Sequence, residues 1–289
     1  MSYQQINLKM SYNRKYFNEM NLIKYIGLFL LFAIITNCGF KDKEKDIVIP
    51  AHSHNDYEQA NPLVDAIGYK FKSIEIDVFS VGDSLFVAHD FNQIKPGKTL
   101  RKLYLDPLKK IISKNNGSVY GEGTELILLV DIKDDGLKTY KLLHKILENY
   151  KGMFTSYNQN VKTTASIAVI VSGNRPFEYM KNQAVRYASY DGRISDIDSG
   201  IDSSLMPLIS DNWQHHFKWN GVGKMPEDEI NKLDLIVNKC HKNGYMLRFW
   251  NTPDKPGSER DAVWKKLKDA QVDLIGSDDS RDLKNMLKK

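Results

Sequence analysis

The sequence predicts an α/β chain folded as a single-domain (β/α)8 barrel of TIM type, and three observations predict it. Short apolar runs rich in Ile, Val and Leu alternate with stretches of helical periodicity, the pattern of βα units around a parallel sheet. Eight such runs fall within roughly 240 residues, the size of a barrel of eight units. Polar residues gather at the C-terminal ends of several of these runs, the edge where barrels and open α/β sheets build their sites. A doubly wound open sheet is the alternative arrangement of the same units.

Ile47-Val48-Ile49 opens the first strand, expected over 47–51, which runs into His52-Ser53-His54-Asn55-Asp56. A helix is expected near 61–69, followed by a second strand over 73–78 that carries Glu75-Ile76-Asp77. Side chains alternate along a strand, so Glu75 and Asp77 share one face while Ile74, Ile76 and Val78 take the other. Two carboxylates on one strand face can share one cation. After a helix near 102–114, the run Leu126 to Val130 forms a third strand over 126–132, ending in Asp131-Ile132-Lys133 with both polar side chains on one face. A helix over 137–150, strands over 166–172 and 185–190, and a helix over 176–182 between them follow. The stretch from Asp191 to Ser204 reads as polar loop before a sixth strand over 207–211. Helices over 227–242, 259–269 and 280–288 and strands over 245–250 and 273–277 complete the series. In the seventh strand Trp250 shares its face with Arg248 and Met246, which suits a pocket wall or a core position.

Composition is that of a globular protein, with 42% hydrophobic and 27% charged residues. The formal charge of +5 overstates the basicity of the working part, because Lys9, Arg14, Lys15 and Lys24 precede the first strand with only Glu19 to offset them. Elsewhere Lys and Arg are interleaved with Asp and Glu, so the sequence shows no nucleic-acid footprint, and no obligate protein partner is indicated. Behind Lys24, the apolar stretch Tyr25 to Ile35 is too short for a span of about 20 residues and reads as a signal peptide over 1–37. Ile35-Thr36-Asn37-Cys38 resembles a bacterial lipobox, which implies export to the cell envelope and a membrane anchor through lipid on Cys38; Asn37 departs from the usual small residue. Residues 38–46 form a charged tether, and the barrel occupies 47–289. Cys240, in the helix over 227–242, reads as a small buried hydrophobe.

The motifs taken together resemble the PLC-like phosphodiesterase superfamily, the barrel proteins that include glycerophosphodiester phosphodiesterases and PI-specific phospholipases C. The resemblance spans most of residues 47–280. It rests on a His ending the first strand, Glu75-x-Asp77 ending the second, the stretch Gly82-Asp-Ser-Leu-Phe-Val-Ala-His89-Asp90, Asp131 ending the third, and Leu247-Arg-Phe-Trp250-Asn251 and Asp273-Leu-Ile-Gly-Ser-Asp278 near the end. It implies that His52 and His89 form an acid/base pair and that Glu75, Asp77 and Asp131 hold one divalent cation. Oxygen ligands favour Mg2+ or Ca2+. A cation offsets charge gathering on a phosphodiester in its transition state, and two imidazoles can take and give protons near pH 7. The implied activity is that of a phosphoric diester hydrolase on a glycerophosphodiester or phospholipid-type substrate, or a lyase if a substrate hydroxyl attacks and a cyclic phosphate results.

The chain departs from the glycerophosphodiesterase pattern. His52-Ser-His-Asn-Asp-Tyr57 replaces the usual His-Arg-Gly, and its His-x-x-Asn spacing is similar to that of sphingomyelinase D-like members. Asn55 stands as a phosphate or metal contact in place of the missing Arg, and Lys133 as a phosphate ligand or a solvated Lys. His54 suits a partner of a site residue, a phosphate ligand or a structural role. Two competing readings remain: an amidohydrolase-like metal hydrolase opened by His52-x-His54, with His215 and His216 as its only further histidine candidates, and a non-catalytic surface binding lipoprotein. No Gly-x-Ser-x-Gly elbow, Walker loop, Rossmann fingerprint or Cys-x-x-Cys pair is present.

Overall fold

The computed structural model describes residues 48–121, 123–159 and 161–288. The expected signal peptide over 1–37, Cys38 and the tether lie outside the described residues. The strands are β1 (Ile49–Ser53), β2 (Phe71–Val81), β3 (Ser84–Val87), β4 (Leu126–Ile132), β5 (Ser156–Asn158), β6 (Val161–Thr163), β7 (Ile167–Gly173), β8 (Val185–Arg186), β9 (Ser189–Gly192), β10 (Leu208–Asn212), β11 (Met246–Trp250) and β12 (Leu274–Ser277). The α-helices are α1 (Val64–Gly68), α2 (Asp106–Lys114), α3 (Gly136–Glu148), α4 (Phe177–Lys181), α5 (Trp213–His216), α6 (Glu227–Lys242), α7 (Ser258–Asp269) and α8 (Ser280–Leu287).

Eight of the strands form a closed parallel barrel in the order β1-β2-β4-β7-β9-β10-β11-β12, and β12 pairs back onto β1. Closure excludes the doubly wound open sheet. Each of the eight expected strands is present, although the fifth is displaced. Val185–Arg186 joins β5 and β6 in a small antiparallel sheet, and the barrel strand is Ser189–Gly192. Between β9 and β10 the chain forms a single 3-10 turn, Ile194–Asp196, where other units place a helix. The two sets of residues on β4 show how the wall divides its cores. Leu126, Leu128, Val130 and Ile132 pack outward with Ile74, Ile76 and Val78 against the helices. Ile127 and Leu129 face the axis, where they meet Ile170, Leu208 and Leu274. Cys240 is buried, and burial pushes its thiol up to about 12, as expected of an inert hydrophobe.

Two devices place the mouth residues. The β2–β3 hairpin turns the chain back, and the Ala88 amide donates to the Asp77 carbonyl at 3.3 Å, which sets His89 beside Asp77. After β1, the buried Asp56 clamps the loop: it accepts from Ser53 Oγ at 2.8 Å, the Leu63 amide at 2.6 Å and Tyr104 Oη at 2.9 Å. Asp56 is therefore an architectural residue of the His52–Tyr57 segment. Among the described residues no helix is long and apolar enough to cross a membrane.

Replacing Asp56 by Ala leaves three buried or half-buried donors without their acceptor, each costing roughly 1–3 kcal/mol. Urea unfolding is expected to show a loss of about 3 kcal/mol or more; an unchanged midpoint would contradict the clamp.

Candidate active site

The carboxylates converge because of register. β2 pairs with β4 so that Asp77 lies opposite Asp131, and Glu75 sits one inward position below Asp77. One ligand atom from each of Glu75, Asp77 and Asp131 lies within 4.8 Å of the others, the one such grouping of His, Cys, Asp and Glu among the described residues. Lys133 Nζ bridges two of them, 3.0 Å from Asp77 Oδ2 and 3.3 Å from Asp131 Oδ1. Burial, opposed by Lys133 and reinforced by Asp77 and Glu75, pushes the Asp131 carboxyl up to about 6. Burial would lower the Lys133 ammonium, but Asp131 and Asp77 raise it. Gly173 makes room for this cluster, since a Cβ there would fall 2.2 Å from Asp131 Oδ1.

A histidine stands at each end of the Glu75–Asp77 pair. His52, fully buried, places Nε2 2.7 Å from Glu75 Oε2 and Nδ1 2.8 Å from Ser73 Oγ. Burial, then the Arg248 charge, push it down to about 4 against the pull of Glu75, so the ring is neutral at pH 7. Nε2–H then donates to Glu75 and Nδ1 accepts from Ser73. The ionised Glu75 carboxylate only accepts, so it keeps the proton on Nε2, and the Ser73 hydroxyl donates to Nδ1. His89 differs: its side chain is half exposed, and Nδ1 donates to Asp77 Oδ2 at 2.9 Å, which leaves Nε2 as an acceptor. Tyr57 Oη donates to Asp77 Oδ2 at 2.8 Å and lies 3.2 Å from Asn55 Oδ1, so Asn55, left-handed at φ 44°, joins the same network.

Arg248 completes the buried part. Its Nη2 donates to Glu75 Oε2 at 2.7 Å, with both side chains almost wholly buried. Burial alone would raise the Glu75 carboxyl; Arg248 and the hydrogen bond from His52 outweigh it and hold Glu75 well below the ordinary carboxylate range. Beside Arg248 opens a cavity of about 170 Å3, walled among others by His54, Trp250, Asn251, Asp254 and Asp278. Trp250, 36% exposed, is thus a wall of this cavity. His54 Nδ1 donates to Asp278 Oδ1 at 2.6 Å, which raises His54 although burial opposes it.

Seven of the nine expected site residues therefore gather in two bonded groups that meet at the triad: His52 with Glu75, and Asn55, Asp77, His89, Asp131 and Lys133. His54 and Trp250 stand apart, across Arg248. The histidine pair His52-x-His54 builds no shared metal position, since His52 turns to Glu75 and His54 to Asp278, and His216 lies instead 3.2 Å from Asp211. Arg248 and Tyr57 were not anticipated as site residues. The sequence did carry a signal for Arg248: an arginine on the inward face of a strand needs a carboxylate, and Glu75 on the opposite wall supplies it.

A closed barrel with a carboxylate triad that could hold a cation at its mouth, and a histidine at each end, is the class of protein that the fold and site define. Residues 41–191, just over half of the chain, match the AIM6-like phosphodiesterase domain, and the chain belongs to that family. It is 27% identical over 260 residues to the Altered inheritance of mitochondria protein 6 homolog of Arthroderma benhamiae, covering 81% of this chain and 82% of that protein. It is 28% identical over 276 residues to Altered inheritance of mitochondria protein 6 of Eremothecium gossypii, covering 82% and 69%. Among solved structures, a glycerophosphoryl diester phosphodiesterase from Parabacteroides distasonis matches with TM-score 0.48 and 14% identity over 83% of this chain and 86% of that one. Phosphatidylinositol-specific phospholipase C from Listeria monocytogenes matches with TM-score 0.48 and 10% identity over 86% and 96%.

Removal of one partner from a buried ion pair costs about 3–5 kcal/mol, so Arg248→Ala is expected to lose that much at pH 7. In the native chain the depressed Glu75 carboxyl contributes stability above its unfolded value of 4.5, lost as pH falls below it. In the variant burial acts unopposed by the guanidinium, so the carboxyl rises and takes a proton at higher pH. The deficit measured by urea titration should be smaller at pH 5 than at pH 7; equal deficits would contradict the pairing.

Proposed function

We propose that the chain cleaves phosphodiesters, with Glu75, Asp77 and Asp131 holding one divalent cation, Mg2+ or Ca2+, and His52 and His89 moving protons. The observation that carries this reading is the triad within 4.8 Å, met by His52 at Glu75 and by His89 at Asp77. The residues fit a hard cation. All three donors are carboxylates, Lys133 leaves an excess of negative charge, and the buried Asp77 Oδ1 has no hydrogen-bond partner. A bound cation would offset the charge that builds on the phosphoryl oxygens.

The chain's own groups supply the rest. Asp77 fixes His89 by Nδ1, so Nε2 on the open side of the ring takes a proton from the attacking oxygen or returns one to the leaving oxygen. His52, neutral and held between Ser73 and Glu75, serves as its counterpart. Lys133 meets a phosphoryl oxygen as a point charge, and Asn55, on the Tyr57–Asp77 network, adds a polar contact. His54 and Trp250 line the cavity that takes one arm of the diester. The substrate is of glycerophosphodiester or phospholipid type. Export and anchoring through lipid on Cys38, which would set the site at a membrane surface, rest on residues 24–46 of the sequence.

Purified protein with added Mg2+ or Ca2+ should release p-nitrophenolate from bis(p-nitrophenyl) phosphate or phosphate products from glycerophosphodiesters and lysophospholipids, read by phosphorus NMR. EDTA should abolish release, and His89→Gln or His52→Ala should lower kcat by about 10²- to 10⁴-fold. Full turnover in EDTA or in both variants would overturn the reading. In cells, wild type grown with labelled palmitate should carry label that Cys38→Ala lacks; an unlabelled wild type would remove the anchor from the account.

A further inference from the structure

A second depression, at the ends of β4, β7 and β9, is unused by the chemistry above. It has a volume of about 490 Å3 and is walled by Gly136, Leu137, Gly173, Asn174, Arg175 and Tyr190 among others. It adjoins the triad: Gly173 lies in this wall and packs so closely on Asp131 that no side chain fits between them.

Arg175 is held at two points. Its Nη1 donates to the Gly173 carbonyl at 3.0 Å, and its guanidinium carbon sits 4.7 Å from the centre of the Tyr190 ring. Phe177 braces that ring edge-on at 5.0 Å. The other arginines of the mouth are neutralised, Arg248 by Glu75 and Arg193 by Asp191. Among the described residues no carboxylate lies within ion-pair distance of Arg175, and its buried Nε has no hydrogen-bond partner. The neighbouring acids are engaged: Asp134 accepts from Ser80 and Thr139, and Asp135 accepts from the Lys138 amide. A guanidinium ordered on an aromatic face with its charge unspent suits an anion, and its planar fork matches carboxylate and phosphate alike.

We propose that Arg175 and its groove form an anion subsite for a second negatively charged group, a phosphate monoester or a carboxylate, on one arm of the diester bound at the triad. This rests on the phosphodiesterase reading and narrows it, since a diester with two neutral arms would leave the subsite empty. Trp250 and the cavity beside Arg248 lie across the mouth and take the other arm.

The test uses three esters that differ in one arm: propyl, 3-carboxypropyl and 3-phosphooxypropyl p-nitrophenyl phosphate, followed by phosphorus NMR so that cleavage on either side counts. Wild type should show kcat/KM about tenfold or more higher for a charged arm than for propyl. Which charged arm is preferred distinguishes phosphate from carboxylate. Arg175→Gln should lose that preference with the propyl rate unchanged, and Arg175→Lys should keep part of it. Equal rates across the three esters in wild type, or a preference that survives in Arg175→Gln, overturns the subsite. If wild type cleaves none of them, the phosphodiesterase reading fails, and calorimetry with inorganic phosphate decides the subsite alone. A Kd weakened about tenfold in Arg175→Gln supports it; equal Kd values, or no binding to wild type, overturn it.

Discussion

The site depends on keeping Glu75 ionised where water does not reach it. An isolated carboxylate in a protein interior takes up a proton rather than bear its desolvation cost, and then it is a poor ligand for a cation. Arg248 from the opposite wall and His52 from the neighbouring strand both reach Glu75 Oε2 at 2.7 Å and prevent this. Burial and the Arg248 charge hold His52 neutral, and the Glu75 carboxylate keeps its proton on Nε2, so one buried triplet sets the charge state of a triad carboxylate and of the histidine beside it. Such a triplet is weak support for stability in general, because each charge costs several kcal/mol to desolvate. Here its value lies in placing charge at a chosen point.

The barrel interior is layered accordingly. Ile127, Leu129, Ile170, Leu208 and Leu274 fill its lower part with an ordinary apolar cluster. Above them the inward positions turn polar. His52, Glu75 and Arg248 form one group, and Asp191, which accepts from Ser172, Ser210 and Arg193, forms another. At the mouth, Asp131, Lys133 and His89 are partly open to solvent, with Asp77 buried beneath them. Polarity thus rises along the strands toward their C-terminal ends, and the proposed chemistry sits where burial is deep enough to strengthen charge interactions and shallow enough to admit a substrate.

Much of this was legible in the sequence because period-2 alternation fixes which side chains share a face. Glu75 with Asp77, and Asp131 with Lys133, could be assigned to common faces from spacing alone, and the β2–β4 register then brings the two pairs together. The eight barrel strands were legible for the same reason, as short apolar runs between helical stretches. What spacing could not give was long-range pairing. Arg248 and Glu75 are separated by 173 positions, and only closure of the barrel makes them neighbours. The fifth strand was misplaced because the run from Val185 to Tyr190 reads as one strand, whereas Val185–Arg186 pairs with Tyr157 and Asn158 and the barrel strand begins only at Ser189. The β5–β6 hairpin, with β6 wholly exposed, has no burial pattern to reveal it.

The account rests on a cation shared by three carboxylates, and crystals soaked in Mn2+ test that most directly through its anomalous scattering. A single peak within about 2.0–2.6 Å of oxygens from Glu75, Asp77 and Asp131 is the predicted result. No peak at the triad, with Lys133 still seated between Asp77 and Asp131, or a peak held by His54 and Asp278 in its place, would contradict it.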